Sequence, residues 1–385
     1  MQQNIPVILQ ILPELGSGGV ERGTLEMADA IVQAGGKSLV VSQGGQLVRA
    51  LETLGAQHIT LPVASKNPLT MKNNARKLQK ILRQYQVSLV HARSRAPAWS
   101  AYYAAKAAHV PLVTTFHGTY GTSGLGKKRY NKIMIKGEKL IAVSRHIKDH
   151  ILQHYEVDAK KIKVIPRGVD IQAFSPDVIN TNHITNLVDE WHLDEINAPI
   201  IFFPGRLTRW KGQHIALEAL AKLKHRNFIC LFAGNTNKHP NYVRELYQMI
   251  DHYRLEKNVR FVSSTQYMAE AFHISDLVIS PSIEPEAFGR VIVEAGAMER
   301  IIITTNHGGA KETVKDGRTG FLVQPYDIDA LSDAIDYTLN MPKHQKERMQ
   351  HNARTHVAQH FSITHMQNAT LDVYEKVLRD WKRNR

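Results

Sequence analysis

Four side chains in the second half of the chain have the types and order to hold a charged ligand: Arg206, Lys211, Glu286 and Glu294. The two cations lie on residues 203–212, between an apolar run and a helical pattern. Two fixed positive charges on a loop at a strand's carboxyl end suit a diphosphate. They neutralise it when bound and stabilise the charge that develops when it leaves. The plain alternative is a solvated basic loop, and Arg209, between them, is assigned to solvent. The acids frame residues 281–298, which read as the end of a buried strand, a tight turn, and a helix starting near Phe288 or Gly289. Glycine there lets backbone N–H groups approach a ligand, and a helix N-terminus favours phosphate or sugar oxygens. Either acid alone reads equally well as an ordinary helix-start residue. Together, one before the helix and one inside it, they reach two parts of one ligand.

The elements that must position these groups form an alternating series. Apolar runs at 5–12, 38–42, 58–63, 87–90, 111–116, 140–143 and 161–165 read as strands, with helical patterns between them, as at 20–34, 70–85 and 97–109. The same grammar restarts at 199–203 and continues through 228–233, 259–262, 276–280, 301–305 and 321–323. Short apolar strands alternating with amphipathic helices imply parallel sheets covered on both faces. The expected fold is α/β, with two doubly wound, Rossmann-like domains facing across a cleft, and ligands bound beyond the carboxyl ends of the strands. Residues 1–180 form the first domain and 190–362 the second, with the boundary in the polar stretch 174–197. An amphipathic helix at 363–385 is expected to dock back on the first domain.

With 385 residues and 43% hydrophobic content, the chain has material for two cores. One cysteine, Cys230, in an apolar run, excludes an internal disulfide and suits a reducing compartment. The N-terminus lacks a signal-peptide pattern, and no apolar run approaches the roughly 20 residues of a membrane span. A formal charge of +14 calls for an anionic partner.

The ordered set resembles the retaining, nucleotide-sugar-dependent glycosyltransferases of the two-domain B-type fold (GT-B, family 4). These carry two glutamates separated by seven residues, here Glu286 and Glu294. Gly205-Arg206 and Lys211-Gly212 precede that pair, and His117-Gly118 stands in the first half. The resemblance implies that Arg206 and Lys211 grip the donor diphosphate. It implies that Glu286 meets the donor sugar, the backbone of Ala287, Phe288 and Gly289 its hydroxyls and phosphate, and Glu294 the ribose. Ala287 replaces a glycine common in the family, which narrows the backbone freedom of that turn. His117 resembles the family's active-site histidine, which positions the donor sugar or stabilises the transition state; a lone histidine at a strand end otherwise reads as structural.

The first domain is expected to supply the acceptor side. In the run 15–23, Gly18 and Gly19 permit close approach to a phosphate or hydroxyl. A dinucleotide fingerprint fails there: Glu21 stands where a third glycine belongs, and the second strand ends without a ribose-binding acid. Arg93 and Arg95 are expected to recognise carboxylates or phosphates on the acceptor, against the alternative of a merely basic loop. Because the resemblance commits Glu286 to sugar hydroxyls and no other carboxylate nucleophile is evident, same-face substitution is expected, with the departing diphosphate taking the acceptor's proton. No cofactor and no metal are expected. Asp327 and Asp329 read as cap and first-turn acids rather than metal ligands.

Lys127, Lys128, Arg129, Lys132, Lys136, Lys139, Arg145 and Lys148 face only Glu138 and Asp149. Lys128, Lys132, Lys136 and Lys139 recur at helical spacing, giving either a solvated face or a contact with an anionic membrane leaflet. The segments 91–100, 115–120 and 166–170 resemble bacterial lipopolysaccharide core transferases, including mannosyl-transferring ones. That implies a GDP-mannose or UDP-sugar donor, a glycolipid acceptor, and a peripheral position on the cytoplasmic face of the inner membrane. Rival readings are a nucleotide-sugar epimerase or phosphorylase, a B-fold enzyme with a soluble acceptor, and a non-enzymatic membrane adaptor. Nucleic acid is not expected as a partner, because no recognition motif accompanies the charge.

Overall fold

The computed structural model describes residues 5–16, 18–121, 124–194 and 196–383. Ser17 of the glycine-rich run and the last two residues of the expected C-terminal helix lie outside them. The chain divides into two compact units, residues 1–168 with 363–385, and residues 169–362.

The first unit holds a seven-stranded parallel sheet. Its strands are β1 (Val7–Ile11), β2 (Lys37–Ser42), β3 (Gln57–Thr60), β4 (Leu89–Ala92), β5 (Leu112–Phe116), β6 (Lys139–Ala142) and β7 (Ile162–Val164). They run in the order β3-β2-β1-β4-β5-β6-β7. The second unit holds β8 (Ile200–Pro204), β9 (Ile229–Ala233), β10 (Val259–Val262), β11 (Leu277–Ser280), β12 (Ile301–Thr305) and β13 (Phe321–Val323), in the order β10-β9-β8-β11-β12-β13. Each order reverses direction once, beside β1 and β4 in one sheet and beside β8 and β11 in the other. At such a reversal the flanking loops splay apart and leave room for a ligand.

Burial on both faces explains why the strands read as apolar runs. Along β8, Ile201 and Phe203 enter one core of the second unit while Phe202 enters the other; β9 divides likewise, Cys230 and Phe232 against Ile229, Leu231 and Ala233. That is the two-residue period of a pleated strand. Cys230 is fully buried, and burial raises its thiol pKa.

One boundary departs from expectation. The division falls at Gly168/Val169, before the polar stretch assigned to it. Residues 174–197 carry a helix, Thr181–Trp191, whose Asn180 side chain caps it and whose Leu187 and Trp191 are buried in the second unit. A short amphipathic helix with only a narrow apolar edge resembles a linker in composition. The C-terminal helix Ile363–Arg383 belongs to the first unit: Met366, Val373, Tyr374 and Val377 share a core with Met27 and Ile31 of the first helix. Gln367 Nε2 donates to the Glu26 carbonyl at 2.8 Å.

The expected lysine stripe is not one helix. A helix covers Leu125–Asn131, a 3₁₀ turn Lys132–Ile135, and Lys139 already lies in β6, where its Nζ donates to the Lys160 carbonyl at 2.8 Å. Gly137 separates the pieces; a Cβ there would sit 3.0 Å from the carbonyl oxygens of Leu112 and Lys139. The helical spacing of the lysines is thus coincidental with a turn into the sheet. Lys127, Lys128, Arg129, Lys132 and Lys136 are nevertheless all exposed.

Candidate active site

In the second unit, Arg206 and Lys211 follow β8, and Ser282 and Glu286 follow β11, at the side of the sheet reversal. Gly212 makes their approach possible. Its φ is +81°, and a Cβ there would lie 2.1 Å from the Pro281 carbonyl oxygen. Lys211 Nζ donates to Glu286 Oε1 at 2.7 Å, and Ser282 Oγ donates to the same oxygen at 2.5 Å. Burial would raise the Glu286 pKa. The charge and hydrogen bond of Lys211, the Ser282 bond and the charge of Arg206 together outweigh it, so the carboxyl stays below its ordinary range. Arg206 is exposed, with its guanidinium 5.4 Å above the Trp210 ring; Lys211 Nζ is 4.5 Å from the same ring. Gln213 Nε2 pins the loop by donating to the Arg206 carbonyl at 3.0 Å.

The turn after Glu286 is held from beneath. Gly309 N donates to the Glu286 carbonyl at 2.7 Å, and a Cβ on Gly309 would meet the Ala287 carbonyl oxygen at 2.3 Å. The Phe288 side chain is buried and meets Phe361 edge to face at 5.7 Å, so only its backbone is available at the turn. Gly289 has φ +93° and caps the helix Arg290–Ala297. Glu294 inside that helix is 5% exposed and accepts from Arg290 Nε at 2.8 Å. Neither Arg290 nor His307, whose Nε2 lies 2.8 Å from the Ser282 carbonyl oxygen, was marked in the sequence; the four-residue spacing of Arg290 and Glu294 is the signal that could have found the first.

Arg209, expected in solvent, is exposed, and there it pairs with Glu245 and lies over the Tyr242 ring. Asp327 Oδ1 accepts from Ala330 N at 2.9 Å as a helix cap, and Asp329 pairs with Lys222. Among the described residues, no cluster of three or more His, Cys, Asp or Glu is arranged to hold a metal ion.

In the first unit, the candidate residues again follow strands. Gly18 and Gly19 follow β1, and Gly18 caps the helix Gly19–Gln33. Arg93 follows β4 and is buried, with Nη1 donating to Gln10 Oε1 at 2.9 Å. Arg95 diverges from it: Nη1 donates to Asn131 Oδ1 at 3.0 Å and the guanidinium lies 4.4 Å over the Tyr120 ring. His117 follows β5. Its Nδ1 is 2.8 Å from Arg167 Nη2, and Arg167 also donates to the Gly19 carbonyl. Arg167, marked only as part of a longer segment in the sequence, therefore joins the glycine-rich turn to His117. Burial first, then Arg167, Arg93 and His91, hold His117 well below the ordinary imidazole range. His91 lies behind it, 2.6 Å from the Tyr374 hydroxyl and 2.7 Å from Thr115 Oγ1. A cavity of about 20 Å³ touches His91, Arg93, Thr115, His117 and Arg167, enough for about one water molecule.

Each unit thus presents a separate polar cluster at the carboxyl ends of a parallel sheet. One has two cations and a carboxylate with backbone N–H groups beside them; the other has a neutral imidazole, two guanidinium groups and a glycine-rich turn. Residues 17–173 match the Glycosyltransferase Family 4 model, and residues 191–356 match that of the Glycosyl transferases group 1. The crystal structure of a glycosyltransferase from Rickettsia africae ESF-5 is similar with 41% identity and a TM-score of 0.90, covering 97% of this chain and 99% of that one. Anabaena HepE in complex with UDP-glucose shares the fold at 23% identity and a TM-score of 0.81, over 96% of this chain and 99% of that one. The D-inositol 3-phosphate glycosyltransferase of Corynebacterium kroppenstedtii is 28% identical over 64% of this chain, a match that spans 55% of that relative. With both halves matched in order and a solved glycosyltransferase covered end to end, the chain belongs to the group 1 glycosyltransferases, of GT-B fold, and is a glycosyl-transferring enzyme.

Proposed function

We propose that the chain moves a hexose from a nucleotide diphosphate sugar, GDP-mannose or a UDP-sugar, to a glycolipid of the lipopolysaccharide-core class, with retention of anomeric configuration. The observation that carries the donor half is the convergence of Lys211, Ser282, Arg206 and Glu286 beside the turn at Gly289. Arg206 and Lys211 take the diphosphate oxygens, Glu286 and the backbone of Ala287 to Gly289 take the sugar, and Glu294 takes the ribose. As the glycosidic bond breaks, negative charge gathers on the diphosphate, where Arg206, Lys211 and the helix N-terminus stabilise it. That oxygen then accepts the proton of the attacking hydroxyl on the same face. Glu286, already accepting two hydrogen bonds on Oε1, acts as an acceptor of sugar hydroxyls rather than as a nucleophile.

The first unit supplies the other half of the reading. His117 contacts the donor sugar, Gly18 and Gly19 approach it through their backbone, and Arg93 contributes positive potential toward an anionic acceptor. Exposed Lys127, Lys128, Arg129, Lys132 and Lys136 support peripheral attachment to the anionic cytoplasmic face of the inner membrane, each worth roughly 1 kcal/mol near the surface. No metal ion or other cofactor takes part. A second reading, a soluble phosphorylated acceptor, is favoured by the likeness to the D-inositol 3-phosphate glycosyltransferase.

A panel of nucleotide sugars tested for thermal stabilisation identifies the donor, and transfer is then measured with chelator present, onto core glycolipid and onto inositol phosphate. Stabilisation by one nucleotide sugar and chelator-resistant transfer to the glycolipid are expected. A strict divalent requirement, or transfer to the soluble acceptor alone, would overturn the corresponding part.

A further inference from the structure

Arg167 and His117 are fifty positions apart, after β7 and β5, yet Arg167 Nη2 lies 2.8 Å from His117 Nδ1. A guanidinium has N–H groups and no lone pair to offer, so it meets the imidazole only as a donor. Nδ1 is therefore the bare nitrogen, and the single proton of the neutral ring sits on Nε2. Nε2 is enclosed and has no protein partner among the described residues. The other Arg167 arm holds the Gly19 carbonyl, which keeps the guanidinium plane against the ring. A second proton on Nδ1 would break the Arg167 bond and set two cations in contact, next to Arg93.

We propose that Arg167 is a positioning residue that locks His117 in the Nε2–H form, so that His117 offers a hydrogen bond to an oxygen of the activated sugar and cannot serve as the base for the acceptor hydroxyl. The assignment rests on the proposed nucleotide-sugar reaction for the identity of that oxygen, but the proton's place on the ring does not depend on it. A histidine held as a donor explains chemically why the proton of the attacking hydroxyl must go elsewhere, to the leaving diphosphate.

The test uses the full chain labelled with ¹⁵N in its histidines, with the His117 signals identified by their loss in His117→Gln. At pH 7 and without nucleotide sugar, a neutral ring protonated at Nε2 is expected. Arg167→Met should give a ring that exchanges between tautomers or takes a second proton, and Arg167→Lys, which keeps a donor, should preserve the Nε2–H form. A wild-type ring protonated at Nδ1 or on both nitrogens, or an Arg167→Met ring that stays wholly Nε2–H, overturns the proposal. Turnover is read with whichever of UDP-glucose and GDP-mannose reacts. The amide N–H of His117→Gln can reach the place of Nε2–H, so it should retain about tenfold more kcat than His117→Asn; the reverse order also overturns the proposal. If neither sugar reacts, the proposed donors fail and the ring's proton still decides the role of Arg167.

Discussion

The two polar clusters sit at equivalent places on similar sheets and solve the burial of charge in opposite ways. In the second unit, Lys211 and Glu286 lie 2.7 Å apart with side chains 11% and 12% exposed, so each charge is balanced by the other. In the first unit, the histidines stay neutral and Arg93 is held by the Gln10 amide dipole. A cluster of paired charges can exchange partners with an incoming diphosphate while remaining balanced. A neutral imidazole held by a guanidinium donor, with a second guanidinium beside it, orients a hydrogen-bond donor toward oxygen and has no paired carboxylate to exchange. The same scaffold therefore gives one region suited to developing charge and another suited to orientation.

The sharpest break in this comparison is Glu286→Ala, which removes the acceptor of both Lys211 and Ser282. Turnover should fall by about 10³ and denaturant unfolding should lose about 3 kcal/mol, since a buried ammonium is left unpaired. Activity within tenfold of wild type would show that the ion pair is only structural. Gly309→Ala is the next largest change. Its Cβ meets the Ala287 carbonyl oxygen at 2.3 Å, so the turn must move, with a stability cost of about 2 kcal/mol or more and a loss of donor affinity. An unchanged unfolding midpoint would mean that the turn yields without cost.

Acid separates the two clusters by window. His91 and His117 have folded pKa values depressed below 6.5 by burial. The unfolded chain thus binds protons first, and their contribution, full above 6.5, is lost as pH falls from there through the folded values. Glu286 is also depressed, from 4.5, so its contribution is full above that pH and is lost only below it. Hydrogen exchange should therefore show the first unit loosening at higher pH than the second. The measurement belongs in a background with His214, His273 and His356 each replaced by Gln, because burial holds all three rings below 6.5, His356 down to about 4, and they would draw the second unit into the same window. Simultaneous loosening in that background would contradict the distinction.

Much of this was legible in the residues. Strands buried on both faces advertise themselves as apolar runs, which is why 301–305 and 259–262 could be delimited before any coordinates. Glycine at 289 marked a turn that required it. What stayed hidden depends on partners distant along the chain. Arg167 gains its meaning through His117 and Gly19, distant along the chain, and nothing local distinguishes it from a surface arginine. The helix Thr181–Trp191 exposes most of its polar face and so passed for a linker. The lysines from 128 to 139 kept a helical rhythm across a turn that is set by the packing of Gly137 against β5.

The smallest expected effect gives the cleanest control. Arg209 lies on the same loop as Lys211 but pairs with Glu245, with side-chain exposures of 57% and 38%; Arg209→Ala should change stability by less than about 1 kcal/mol. Set beside it, calorimetric titration of UDP and GDP into wild type, Arg209→Ala and Lys211→Ala tests most directly whether the second unit grips a diphosphate. The preferred nucleotide should bind Arg209→Ala within about twofold of wild type and Lys211→Ala at least about tenfold more weakly. Equal affinity for wild type and Lys211→Ala would place the diphosphate elsewhere and remove the basis for the assigned reaction.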